Sequence, residues 1–265
     1  MRAAVLQLNA QGMSSTKLYN HIRIAHKNGV KVLLIGEYVL NPFFKELQSM
    51  SMRMIKEQAM HQIKVLKELS STYKMIIVAP IIMVKRKALY KSIAKFAPSS
   101  TSYYDQQLLI NYAHWNEEKF FANATQGLQT PMVFNVDNFK FAVIGGFELH
   151  FDAIFALLKS KKIDCILVPS VATFDSYERW KALISTRAFT HNCYILRANR
   201  IGEYQDSEFS WHFYGDSILA SPHGEILEHL GNKEELMIAD MNHTDVLKAR
   251  RSWGFSEIIN KRVKS

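Results

Sequence analysis

Cysteine is scarce in this chain, with only Cys165 and Cys193 among 265 residues. Two thiols without CxxC spacing make neither a disulfide framework nor a zinc cluster, so a reducing compartment and no metal are expected. Proline (6) and glycine (11) are also few, which excludes collagen-like and low-complexity chains. No uncharged apolar run reaches eighteen residues, and the apolar part of the opening MRAAVLQLNAQ is too short for a signal h-region. A cytoplasmic protein with no membrane partner is expected.

Charge of one sign is in excess: 33 basic against 24 acidic residues, a net +9. The basic residues are scattered, with clusters only at Lys248 to Arg251 and in the tail Lys261-Arg262-Val263-Lys264. No RNP, zinc-finger or helix-turn-helix signature accompanies them. The excess is read as a solvated basic surface, and no nucleic-acid partner is expected. Apolar residues at 48% are ordinary for a globular chain long enough to bury a sizeable core.

Ala3 to Leu8 reads as a strand, and Ser14-Ser15-Thr16 offers caps for a helix with Leu18, Ile22 and Ala25 on one face. Val30 to Ile35 reads as a buried strand. Met52, Ile55, Ala59, Ile63, Leu66 and Leu69 recur at helical spacing, and Met75 to Ala79 is a third strand. This strand-helix-strand order is that of βαβ units. Ala88 to Tyr104 then reads as strands alone, followed by a strand over Phe139 to Ile144, a helix at Leu157-Leu158 and a strand from Cys165 to Val168. A helical face at Trp180, Leu183, Ile184 and Ala188 and four more short strands complete the pattern. The expectation is α/β: two sheets with two pairs of helices outside them, one domain over 1–265.

Ligands collect at the carboxyl ends of strands in such sheets. Glu37 closes an apolar strand there, as a general base or as the first residue of a loop. Gly145-Gly146-Phe147-Glu148 lies at a second strand end before a helix, where glycine offers no attacking atom. Ser170 ends a third strand after Val168-Pro169, and lacks an obvious partner histidine; His150 is read as structural or rim-lining. Cys165 and Cys193 lie in apolar strands, where a thiol is a small buried hydrophobe.

Taken in order, AVLQLN around Gln7, LLIGE at Glu37, GFELHFD from Gly146, VPS before Trp180, STRAFTHNCYILRANRIG from Ser185, YGDS and SPHGEIL resemble the nitrilase superfamily of carbon-nitrogen hydrolases. The likeness runs through nearly the whole chain. It implies a four-layer αββα sandwich, a homodimer or larger homo-oligomer, no cofactor, and a site of Glu, Lys and Cys with a supporting Glu. The dimer would use the helices expected at Phe151 to Ser160 and Tyr177 to His191, the first carrying Ile154, Phe155, Leu157 and Leu158.

Transferred residue by residue, the general base falls on Glu37, the lysine on Gln106, the supporting acid on Glu117 or its neighbour Glu118, and the cysteine on Gly146. Phe147, Glu148 and Ser170 would line the pocket. Covalent attack on an amide or nitrile needs a thiolate close to the carbon, and glycine has none. Gln106 supplies a neutral donor but no cation. The resemblance with these two departures implies a hydrolase-like protein without the covalent route, keeping a small-molecule pocket or an assembly role. Glu37, Glu117 and Glu148, with no lysine to offset them, would favour a cationic ligand or protonated carboxyls. The competing reading is an active hydrolase of a small C-N substrate that uses another nucleophile or an activated water.

Overall fold

The computed structural model describes residues 1–12, 16–123, 127–255, 258 and 262. The expected cap residues Ser14 and Ser15, and Lys261, Val263 and Lys264 of the basic tail, lie outside these. The first half runs β1 (Arg2–Gln7), α1 (Thr16–Lys27), β2 (Val32–Ile35), α2 (Phe44–Leu47), α3 (Met52–Tyr73), β3 (Ile76–Lys85), β4 (Ala88–Ala97) and β5 (Ser100–Asp105). The second half begins with β6 (Met132–Val136), β7 (Phe139–Val143), α4 (Asp152–Leu158), β8 (Cys165–Pro169) and α5 (Tyr177–His191). It continues through β9 (Tyr194–Ala198), β10 (Ile201–Gln205), β11 (Ser210–Tyr214), β12 (Ile218–Ala220), β13 (Ile226–His229), β14 (Glu235–Asp240) and α6 (His243–Trp253).

Two six-stranded sheets result, ordered β14-β1-β2-β3-β4-β5 and β13-β12-β9-β8-β7-β6, with β10-β11 as a separate hairpin. From β14 across the first sheet the ladders run antiparallel, parallel, parallel, antiparallel, antiparallel. From β6 across the second they repeat that series. The halves therefore share a topology that no sequence repeat reveals.

Alternation along each strand divides its side chains between two cores. Val5, Leu34, Val78 and Ile93 face Phe141, Val143, Leu167 and Leu196 between the sheets. Leu6, Leu33 and Ile77 point outward onto Leu18, Ile22 and Leu66 of α1 and α3. Ile144, Ile166 and Ile195 point outward onto Ile154, Phe155 and Ile184 of α4 and α5. Strands covered on both faces need continuous apolar runs, as read above. The architecture is the expected four-layer αββα sandwich.

Three expectations need correction. Six strands follow α5, not four; among them β10 and β13 have no buried residue and so carry little apolar signal. β6 and α6 were not anticipated; α6 buries only Val246 and Ala249 beneath a basic face. Of the four apolar residues expected to give α4 a dimer surface, Ile154, Phe155 and Leu158 face the protomer's own sheet.

No helix among the described residues is long and apolar enough to cross a membrane. At the end of α5, His191 stacks on Phe155 with centroids 4.4 Å apart. Burial, with Arg187 nearby, lowers its pKa from 6.5 to about 4. The unfolded chain thus binds a proton in this window that the folded chain refuses, and stability is full above the unfolded pKa and falls as the pH drops towards 4, by roughly 3 kcal/mol. His191→Phe should flatten that part of the pH dependence of the urea midpoint; an unchanged slope would contradict the assignment.

Candidate active site

The carboxyl ends of the inner strands meet between the two sheets. Glu37 follows β2 and Gly36, and its amide donates to the Ser170 carbonyl beyond β8 at 3.1 Å. The Gly146 amide donates to the Pro169 carbonyl at 2.9 Å. Gln106, just past β5, donates from Nε2 to Glu37 Oε1 at 2.7 Å. The three positions singled out in the sequence are thus contiguous.

One member of the cluster was missed. Lys91 of β4 lies opposite Gln106, whose amide donates to the Lys91 carbonyl at 3.0 Å. Its Nζ donates to Glu117 Oε2 at 2.8 Å and Oε1 at 2.9 Å, and to Glu37 Oε2 at 3.2 Å. The expectation that no lysine offsets these carboxylates is therefore incorrect: the cation comes from the neighbouring strand. Glu117 is the inward acid, also receiving the Tyr38 hydroxyl at 2.5 Å, whereas Glu118 is exposed. Glu37, Lys91, Gln106 and Glu117 are each 3% exposed or less.

Electrostatics follow from that burial. Desolvation raises the Glu37 pKa and Glu117 raises it further, against the lowering effect of Lys91 and the Gln106 hydrogen bond. For Lys91, burial opposes the charge, but Glu117 and Glu37 outweigh it and the pKa lies above the ordinary lysine value. Two carboxylates share one ammonium, so the cluster carries one formal negative charge when all three groups ionise.

The Gly146 position is filled as well as bare. A Cβ placed there would lie 2.6 Å from Ser170 Cβ, and one at Gly145 would lie 2.8 Å from the Gln106 amide carbon. Ser170 Oγ donates to the Ala198 carbonyl at 3.1 Å and accepts from Arg197 Nε at 2.9 Å. A guanidinium cannot take the serine proton, so Ser170 has no base. Burial pushes the Cys193 thiol up to about 12 and Cys165 well above its ordinary value, which leaves both un-ionised.

The remaining expected residues belong to other networks. Glu148 accepts from the Gly145 amide at 2.6 Å, the Gln107 amide at 2.7 Å and the Tyr104 hydroxyl at 2.8 Å. It ties the turn after β7 to the end of β5 and does not meet Lys91. Phe147 is half-buried, edge-on to Tyr112 and Phe151. His150 is exposed beside Trp180.

Arg187 of α5 holds the turn before α4, donating to the Leu149 and His150 carbonyls at 3.1 Å and pairing with Asp152 at 2.5 Å. Gln7 joins Ser217 to the Gly231 and Lys233 carbonyls. These motif residues have structural roles. Next to Tyr38, a buried cluster of Phe43, Trp115, Trp211 and Phe213 packs ring on ring. Among the described residues, no group of three or more His, Cys, Asp or Glu could hold a metal ion.

The family model described as carbon-nitrogen hydrolase matches residues 2–251. An N-carbamoylputrescine amidase of Solanum lycopersicum is 22% identical over 258 residues, covering 88% of this chain and 82% of that protein. A deaminated glutathione amidase of Synechocystis sp. is 24% identical over 132 residues, covering 49% of this chain; the chain spans about half, 47%, of that protein's length. The crystal structure of a carbon-nitrogen hydrolase from Helicobacter pylori G27 superposes with a TM-score of 0.83 at 19% identity, covering 96% of this chain and 94% of that one.

Proposed function

The chain belongs to the carbon-nitrogen hydrolase family, and from that premise we propose that it does not hydrolyse amides or nitriles by the covalent route and works instead by binding or assembly. One observation carries this reading: the space for a nucleophile's Cβ at Gly146 is occupied by Ser170, at 2.6 Å. The nucleophile is absent and its place is packed. Two further features support it. Gln106 gives Glu37 a neutral hydrogen bond where the resemblance asks for a cation. The nearby ammonium, Lys91, is committed to Glu37 and Glu117.

Removing the nucleophile from such a set leaves about 10³- to 10⁴-fold acceleration over water at most, because its members act as a unit. Hydrolysis by an activated water would need Glu37 to face solvent, yet Glu37 is 3% exposed and both its oxygens already accept hydrogen bonds.

Incubation with N-carbamoylputrescine, a simple aliphatic amide and a nitrile should give no acyl adduct by mass and no ammonia above the uncatalysed rate. Steady ammonia release that disappears in Glu37→Gln would overturn the reading. The assembly part rests on the resemblance, which implies a homodimer packed through α4 and α5. Sedimentation at micromolar concentration should show a dimer; a lone monomer would remove this part.

A further inference from the structure

A cavity of about 430 Å³ opens on the outer face, away from Glu37, where the ends of α4, α5 and α6 meet. Its volume is within the usual range for small-molecule pockets. The apolar lining comes from Phe155 and Leu158 of α4, Ile163 and Ile166 around β8, and Leu247 of α6. Lys159 and Lys162, in the turn after α4, and Arg250 and Arg251, in the last turn of α6, supply four cations. Among the described residues, no acidic side chain lines it.

Arg250 is held from beneath, its Nη1 paired with Asp164 at 3.0 Å and its Nη2 donating to the Ile163 carbonyl at 2.7 Å. Lys159, Lys162 and Arg251 have no ion-pair partner among the described residues. Cations near helix C-termini have an ordinary explanation, since each terminus carries about half a negative charge. Here the C-termini of α4, α5 and α6 contribute about one and a half units between them. Carbonyls in their last turns are also capped, by the amides of Lys159, Asn192 and Gly254. The three cations without an ion-pair partner among the described residues still exceed what the three termini offset, and the excess lies beside an apolar floor.

We propose that this cavity binds a small organic anion, its apolar body on Phe155, Leu158 and Leu247 and its acid group among Lys159, Lys162 and Arg251. The site lies outside the carboxylate-lysine cluster and does not depend on whether that cluster is catalytic. Of the basic cluster at Lys248 to Arg251, it gives a use to Arg251.

Calorimetric titration of the full chain with phenylbutyrate tests it, with phenylbutanol as the neutral comparator and inorganic phosphate as the anion lacking an apolar body. A single saturable site is expected for phenylbutyrate, with both comparators weaker by roughly tenfold or more. The double variant Lys162→Glu with Arg251→Glu, checked for an unchanged melting temperature, should weaken phenylbutyrate by roughly tenfold or more. Lys248→Glu, on α6 but outside the lining, should leave it unchanged. Equal affinity for the acid and the alcohol, phosphate binding as tightly as phenylbutyrate, or indifference to the double charge reversal would overturn the proposal. So would the absence of saturable binding in the millimolar range, whether the cavity is open or sedimentation shows a second copy covering it.

Discussion

Lys91→Met should lower the stability of the fold by about 3–5 kcal/mol at neutral pH, the usual cost of removing one partner from a buried ion cluster. The loss would not be one of packing, because the methionine side chain fills a similar volume. It would come from leaving Glu37 and Glu117 buried with only the Tyr38 hydroxyl and the Gln106 amide as donors. Such carboxyls take up protons instead of remaining ionised, and the Glu37 pKa, already raised, would rise further.

The sign of the pH dependence follows. A carboxyl whose folded pKa exceeds its unfolded value favours the fold at pH below the unfolded value and loses that advantage as the pH rises through the folded one. The gap between wild type and Lys91→Met in urea unfolding should therefore narrow as the pH is lowered from 7 towards 5. Adding Glu117→Gln to Lys91→Met should recover part of the loss, since it deletes one stranded charge. A constant gap across that pH range, or a double variant weaker than the sum of the single changes, would show that Lys91 acts through its aliphatic stem.

Lys91 also marks what the sequence made legible. The buried strands and three of the helices follow from apolar periodicity, and Glu37 stands out because a carboxylate ends a run of apolar residues. The cation was sought at Gln106, where the resemblance puts it, while the register of β4 against β5 places the available lysine directly opposite. A local signal was present: Lys91 lies two residues before Ile93, on the strand face that enters the core between the sheets, where a free lysine is out of place. Glu117 and Glu118 were indistinguishable because neighbouring residues in a non-periodic loop carry no facing information. Ser170 against Gly146 is a contact across two strand ends, which no local pattern encodes. β10, β13 and α6 are polar on most of their surface and so lack the apolar signal that reveals the inner elements.

Gly146→Cys alone should give a weakened, inactive protein and no revived enzyme. Its Cβ would meet Ser170 Cβ at 2.6 Å, and forcing a side chain into a packed core costs about 1–3 kcal/mol. Ser170→Gly would remove the nearest contact, leaving the Cα of residue 170 at 3.1 Å, but would also remove the acceptor of Arg197 Nε, and Arg197 Nη2 already lacks a hydrogen-bond partner. A stranded buried donor costs about 1–3 kcal/mol. The Gly146→Cys, Ser170→Gly pair should therefore regain little stability unless the thiol ionises and accepts from Arg197. The pair would still lack a cation beside the Glu37 oxygen that Gln106 now occupies. Gln106→Lys would add it, bringing the cluster to two carboxylates and two ammoniums, and a donor of this kind is worth about 10²- to 10³-fold in rate. We expect a covalent adduct with an aliphatic amide, followed by mass, only in the triple variant Gly146→Cys, Ser170→Gly, Gln106→Lys. Hydrolysis by Gly146→Cys alone would mean that Ser170 yields its place without cost and that Lys91 already supplies the charge the reaction needs.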